Sequence, residues 1–285
     1  MNKKIAILPI GYALYKYKNS QKQSMNGSGQ YVLITGASSG LGKAFSEVFA
    51  QNHFNLVIVA RSEDKLNALA EELRAKYKVN IEVVPTDLTN KEDIYNLYDH
   101  LKSKNITIDQ LVNNAGIGNS GRLVDVSTDQ IISSLNLNVI SVALLAKLFG
   151  EDMVKRNNGK ILNVASLGAY TPNPYFNIYG PSRSFVAKLT ETMYGELQDT
   201  NVSVSALCPG PVDTNWAKSA GKSTTFLASD PKKIAINSFY KMQNNQLIII
   251  PGKLHHLEKA LLDLIPNKLL AKIIGKWQYS LIAQN

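Results

Sequence analysis

Apolar residues in this chain follow two periods that alternate from residue 31 onward. Tyr31-Val-Leu-Ile-Thr35 is a short continuous apolar run ending at glycines, and Leu41, Ala44, Phe45, Val48 and Phe49 then recur at helical spacing. Residues 56–59 form a second such run, followed by the helical series Leu66, Leu69, Ala70 and Leu73. Residues 81–84 form a third, followed by Ile94, Leu97, Tyr98 and Leu101. Runs at 109–113 and 160–164 predict two further strands separated by two helices, and 202–206 and 247–250 bring the total to about seven. Strands without polar alternation, interleaved with amphipathic helices, imply a parallel sheet covered on both faces. The predicted class is therefore a single-domain, doubly wound α/β fold. Residues 30–252 form the domain, residues 1–29 an N-terminal tail and linker, and residues 253–285 an amphipathic helical extension.

Composition narrows the class only slightly. With 45% hydrophobic and 19% charged residues, 285 residues suffice for a sizeable core. A lone cysteine, Cys208, rules out an internal disulfide and fits a reducing, cytoplasmic setting. No apolar run approaches the ~20 residues that span a bilayer.

The net charge of +9 matters more, because it sits at the ends. Residues 1–30 hold Lys3, Lys4, Lys16, Lys18 and Lys22 and no acid; residues 251–285 hold five lysines against Glu258 and Asp263. Nucleic-acid binding is not expected, since no helix-turn-helix, RNP or zinc-finger pattern accompanies the basic excess. The apolar stretch at 5–15 follows Lys3 and Lys4 in signal-peptide order, but no A-x-A-like site follows it. Beyond Gly252, Leu261, Leu264, Leu269, Leu270, Ile273, Ile274 and Trp277 recur at three and four, with Lys268, Lys272 and Lys276 on another face. Two readings fit such a helix: packing over the body or a subunit interface, and peripheral membrane contact through the tails.

The first predicted strand runs into Thr35-Gly36-Ala37-Ser38-Ser39-Gly40-Leu41-Gly42 and a helix follows at once. Glycines allow a tight turn and close approach of a pyrophosphate, while the helix N-terminus offers free N–H groups. The strand–turn–helix context is what gives the glycine triplet its meaning. At the end of the second strand an acid that would bind ribose hydroxyls is missing and Arg61 stands instead, which favours NADP(H) over NAD(H).

Further motifs lie in a fixed order: Asp87-Leu88 after the third strand, and Asn113-Asn114-Ala115-Gly116 after the fourth. Asn138, Ser166 and Tyr179 follow, spaced by 28 and 13 residues, and then Cys208-Pro209-Gly210-Pro211-Val212-Asp213-Thr214 after the sixth strand. Over residues 30–252 this set resembles the short-chain dehydrogenase/reductase family, with a Rossmann-type fold. Within it, Asn-Asn-Ala-Gly-Ile-Gly and Gly-Lys-Ile-Leu-Asn-Val-Ala-Ser are similar to the bacterial DltE-like branch. The resemblance implies cofactor contacts at Thr35, Gly36, Ser38, Ser39, Gly40, Leu41, Gly42, Arg61, Asp87, Leu88, Asn114, Ala115, Gly116, Tyr179, Arg183, Pro209, Gly210, Val212 and Thr214. It implies a catalytic set of Asn138, Ser166, Tyr179 and Arg183. In that scheme the tyrosine hydroxyl gives a proton to the developing alkoxide, the serine holds the carbonyl oxygen, and the asparagine supports a water-linked proton path.

Arg183 departs from the family, which has lysine four residues after the tyrosine. A guanidinium keeps the positive charge that favours a phenolate. Its fork is larger, however, and it cannot hand on a proton as lysine does. Tyr98–Lys102 has the family spacing but lies on the wrong part of the fold, and Lys188 is too far along its helix. The expected function is an oxidoreductase interconverting a carbonyl and an alcohol on a small hydrophobic molecule. The alternative is a dinucleotide-binding scaffold with little turnover. The apolar segments 167–178 and 215–229 are expected to shape the substrate side, and a homo-oligomer is expected.

Overall fold

The computed structural model describes residues 26–214, 228–252, 255, 261–262 and 264–282. The N-terminal tail and nearly all of the 215–229 flap, with Trp216 and Phe226, lie outside the described residues.

Seven parallel strands form one sheet in the order β3-β2-β1-β4-β5-β6-β7. They are β1 (Tyr31–Thr35), β2 (Asn55–Ala60), β3 (Ile81–Pro85), β4 (Ile108–Asn113), β5 (Gly159–Val164), β6 (Val202–Leu207) and β7 (Ile248–Ile249). The predicted runs coincide with these within a residue or two. β7 is the shortest of them: Ile248 and Ile249 pair with Ala206 and Leu207, and the Leu247 carbonyl accepts from Ala206 N–H at 2.7 Å. Helices α1 (Gly40–Gln51), α2 (Glu63–Tyr77) and α3 (Lys91–Ser103) follow β1, β2 and β3. After β4 come α4 (Thr128–Leu135), a π-helical turn (Asn136–Ile140) and α5 (Ser141–Lys155). The chain continues through α6 (Tyr179–Glu196), α7 (Pro231–Gln243) and α8 (Asn267–Ile282).

Both faces of the sheet bury apolar side chains, as strands without alternation require, and a third cluster, with Val186, Ala187, Ala206 and Cys208, lies where α6 packs on β6. On one side Ile34, Leu56 and Ile58 pack under Phe45, Phe49, Leu66 and Phe239, with Phe49 edge-on to both Phe54 and Phe239. On the other side Leu33, Val57 and Leu111 meet Leu97, Leu145, Phe149 and Met153. The run α4–π–α5 (Thr128–Lys155) is long and apolar enough to cross a membrane by length and composition, with an 18-residue stretch of mean hydropathy 1.7. Separated runs, none long alone, add up to it once the two helices join through the π turn. Its second half packs on the body, where Val142, Leu145, Phe149 and Met153 are buried, while Ile132, Leu135 and Ile140 in its first half are exposed.

Three helices are tied together outside the core. Glu47 on α1 accepts from Lys76 and Tyr77 at the end of α2, and from Lys232 on α7. Burial pushes the Glu47 carboxyl up, but the lysine hydrogen bonds and charges outweigh it and hold the group below its ordinary value of 4.5. A depressed carboxylate stabilises the fold above its unfolded value and loses that contribution as pH falls through the folded one. Glu47→Gln is expected to cost about 1 kcal/mol at neutral pH. Thermal melts from pH 7 down to about pH 2.5 should show the gap to wild type beginning to close below about pH 4.5; a gap constant over the whole range would contradict the ionic account.

Candidate active site

The strand order reverses direction between β1 and β4, so the chain departs to opposite sides of the sheet from two adjacent strand ends. Such a switch point leaves a crevice at the carboxyl edge. Ile34 and Val112 are in register, which puts Thr35 beside the Asn113–Gly116 segment. Thr35 Oγ1 accepts from the backbone N–H of Asn114 at 2.9 Å and of Ala115 at 3.0 Å. Asn114 Nδ2 donates to the Thr35 carbonyl at 2.8 Å. Threonine and asparagine thereby fasten the two lips of the crevice.

The glycine turn sits on this fastening. Gly36 has φ +66° and Gly40 φ +52°, a region that side chains rarely adopt. A Cβ on Gly42 would lie 2.1 Å from the Gly36 carbonyl oxygen, so α1 begins with its first turn pressed against the loop. Ser38 is half-buried and Ser39 exposed at the N-cap, where its side chain makes no capping bond, and Leu41 packs on the core. A Cβ on Gly40 would meet Thr214 at 3.1 Å, which brings the segment after β6 over the turn. Within that segment Val212 bridges to Ser229, the Pro209 carbonyl accepts from Leu167 N–H, and Gly210 lies against the ring of His255.

Arg61 is exposed directly after β2. Asp87 follows β3, but its Oδ1 accepts from the backbone N–H and hydroxyl of Thr89, so it holds its own turn. Leu88 is buried in the core.

The second cluster of predicted residues forms on the β4–β5–α6 side. A buried polar chain sets it. Asn113 Nδ2 donates to Asn163 Oδ1, and Asn163 Nδ2 donates to Thr190 on α6. This links two strands to the helix that carries Tyr179 and Arg183. Asn138 is fully buried in the π turn, where Oδ1 accepts from Ile117 N–H at 2.9 Å and Nδ2 donates to the Ile117 carbonyl at 2.8 Å. Ser166 follows β5 and accepts from Gly168 N–H at 3.1 Å as the cap of a short 3-10 helix. Tyr179 opens α6 and is half-buried.

Arg183, one turn into α6, is only 4% exposed. Nη1 donates to the Val164 carbonyl at 3.0 Å, at the end of the strand that leads to Ser166. The guanidinium carbon lies 5.0 Å from the centre of the Tyr179 ring. A Cβ on Gly116 would stand 2.0 Å from Arg183 Nη2 and 3.1 Å from Asn138 Oδ1, so Gly116 is the gap into which the larger cation fits. Arg183 Nε is buried with no partner among the described residues. Tyr98 and Lys102, the alternative pair, are occupied elsewhere: both bind Asp152 on the flank of α5. Lys188 pairs with Glu191 at the surface.

Two features were not foreseen. Asn173 Nδ2 donates to the Gly168 carbonyl and its side chain fills the space beside Gly180, wedging the 167–178 segment between Ser166 and Tyr179. Asn173 also lines a groove of about 960 Å³ that runs between this segment, Leu123 and α8. No pattern in the sequence marks an asparagine for that position. Among the described residues no group of His, Cys, Asp or Glu could hold a metal ion.

The glycine turn, the crevice and the convergent tyrosine and arginine define a dinucleotide-dependent oxidoreductase architecture, and comparison with known proteins gives its family. Residues 30–225 match the short-chain dehydrogenase family model, and the chain belongs to that family. It is 28% identical to human very-long-chain 3-oxoacyl-CoA reductase over 260 residues, covering 87% of this chain and 79% of that protein. It is 31% identical to human 17-beta-hydroxysteroid dehydrogenase type 3 over 207 residues, covering 71% of this chain and 65% of that one. A short-chain dehydrogenase from Sphingobium yanoikuyae in complex with NADPH superposes with a TM-score of 0.75 at 29% identity, covering 83% of this chain and 96% of that one. A Burkholderia phymatum short-chain dehydrogenase/reductase in complex with NAD does so with 0.75 at 26%, covering 83% and 93%.

Proposed function

We propose that the chain is an NADP(H)-dependent reductase or dehydrogenase acting on a hydrophobic carbonyl/alcohol pair. The observation that carries this reading is the convergence of Asn138, Gly116 and Arg183 on the Tyr179 end of α6. A retired site has no chemical need to bury a cation against a tyrosine ring.

The residues at the crevice fit a nicotinamide dinucleotide. The turn at Gly36–Gly42 is closed against α1 and presents that helix's N-terminal N–H groups, and Arg183 Nε is a buried donor awaiting an acceptor. Thr35, Ser38, Gly40 and Thr214 would hold the pyrophosphate side, Asp87 and Leu88 the adenine side, and Asn114 to Gly116 with Pro209 to Val212 the nicotinamide side. When bound, the cofactor supplies or accepts the hydride. Tyr179 would donate the proton to the carbonyl oxygen, Ser166 would hold that oxygen, and Arg183 would keep positive charge beside the phenol. Asn138 would fix the Ile117 backbone where a proton path needs it.

A lipophilic substrate is supported by the relatives, whose names specify acyl-CoA and steroid chemistry, and by Leu123, Tyr175, Leu269 and Ile273 in the groove beside Asn173, whose lining also holds Arg122, Lys272 and Lys276. The DltE-like motifs fix no substrate by themselves. Preference for NADP(H) rests on Arg61 alone, since family structures at similar distance hold NADPH in one case and NAD in another. The test is a panel of hydrophobic aldehydes, ketones and quinones, followed by loss of NADPH absorbance. Turnover with NADPH should exceed that with NADH by roughly tenfold, and Arg61→Ala should erase the difference through KM for the cofactor. Equal use of both cofactors by wild type would overturn the role given to Arg61.

A further inference from the structure

Helix α8 carries three stripes. Leu270 and Gln278 are buried against the body, Gly275 touches Pro174, and Tyr279 lies 5.5 Å from Tyr175, so one face is packed over the 173–175 segment. Leu269, Ile273 and Trp277 repeat every fourth residue and are each at least half exposed. Lys268, Lys272 and Lys276 repeat in the same way on the far side of that apolar stripe, all exposed. Residues 267–282 contain no acid. Leu264, just before the helix, and Val124 on the loop beyond β4 are 79% and 83% exposed.

We propose that this face docks on an anionic lipid bilayer, with Leu264, Leu269, Ile273 and Trp277 in the interface and the three lysines against the headgroups. Packing explains only the inner face of the helix; the outer apolar stripe remains in water. A second copy of the chain fits it poorly. In a two-fold contact the same patch meets itself, which would bring six lysines together with no acid from either α8 to offset them. An anionic headgroup layer matches both stripes at once, since apolar side chains and lysines contribute in parallel there. A tryptophan in the stripe suits the boundary between water and hydrocarbon.

Leu269, Ile273, Lys272 and Lys276 also line the groove that Asn173 borders. Docking in this orientation sets the groove mouth against the bilayer, so a carbonyl dissolved in lipid reaches it without crossing water. This consequence rests on the proposed function; vesicle binding itself does not.

The test is co-sedimentation of the full chain with phosphatidylcholine vesicles, with and without phosphatidylglycerol. Binding should be roughly tenfold stronger or more with the anionic lipid and should weaken with salt. Leu269→Ser/Ile273→Ser/Trp277→Ser and Lys268→Gln/Lys272→Gln/Lys276→Gln should each lose at least about tenfold, with unchanged melting and NADPH binding. Because the lysines are exposed, the second variant tests the idea even where the first fails to fold. Wild type that stays in the supernatant would overturn the proposal. So would wild-type binding by both variants together with its complete loss on deleting residues 1–24. Conversion of a dimer to a monomer by the serine variant, without vesicle binding by wild type, would assign the stripe to a second copy instead.

Discussion

Tyr179→Phe is expected to lower kcat for carbonyl reduction by about 10³-fold while NADPH binding changes little. The substitution removes one oxygen from a ring that Arg183 holds at 5.0 Å. The ring, the start of α6 and the cation all remain, so the loss reports proton donation rather than architecture. Ordinary acid–base catalysis by a positioned side chain is worth about 10²–10⁴ in rate, which sets the scale. Single-turnover kinetics with NADPH and the best substrate from the panel, beside NADPH fluorescence titration, separate the two effects. Equal rates for wild type and Tyr179→Phe, with cofactor still bound, would leave the scaffold reading in place of the enzyme.

Most of the framework could be read from the chain because it is built from local signals. Apolar runs without alternation give the parallel sheet, and the runs at 31–35 and 202–206 fall on strands almost residue for residue. The glycine turn is legible since backbone geometry at Gly36 and Gly40 demands glycine, whatever surrounds it. Contacts between distant segments leave no such trace. The chain Asn113–Asn163–Thr190 spans 77 positions of sequence, and each member alone passes for an ordinary strand or helix residue. Asn173 is invisible for the same reason. The apolar content of 167–178 suggested a substrate wall, yet the residues that fix this wall are polar, Asn173 by bonding to Gly168 and Asn177 by bonding to Asn119.

Arg183 shows the same limit most sharply. From sequence it is a replaced cation four residues after a tyrosine, with room for either an active or an idle site. Folding decides where the larger head goes: over the Tyr179 ring, onto the Val164 carbonyl and into the space left by Gly116. The extra bulk relative to lysine is thus absorbed by a glycine 67 positions upstream, which belongs to the Asn-Asn-Ala-Gly motif for reasons of its own.

Arg183→Met is accordingly expected to reduce kcat by about 10²-fold, the second-largest effect after Tyr179→Phe. It removes the positive charge beside the phenol and leaves the buried Val164 carbonyl without its donor, a stability cost of about 1–3 kcal/mol. Arg183→Lys keeps the charge on a compact ammonium, which can serve the carbonyl or the tyrosine side but cannot span both as the planar fork does. It should therefore keep much of the fold stability, change kcat by less than the methionine variant and alter the pH–rate profile. Gly116→Ala gives the complementary test: all charges stay, but the new methyl falls on Nη2, whose sister nitrogen is tied to Val164, so the guanidinium must leave the ring. A loss of about tenfold or more in kcat at saturating NADPH is expected, with any change in cofactor affinity read separately by fluorescence titration. Wild-type kcat in Arg183→Met would show that the buried cation is structural. An unchanged profile in Arg183→Lys would show that charge alone, and not the fork anchored on Val164, is what the site requires.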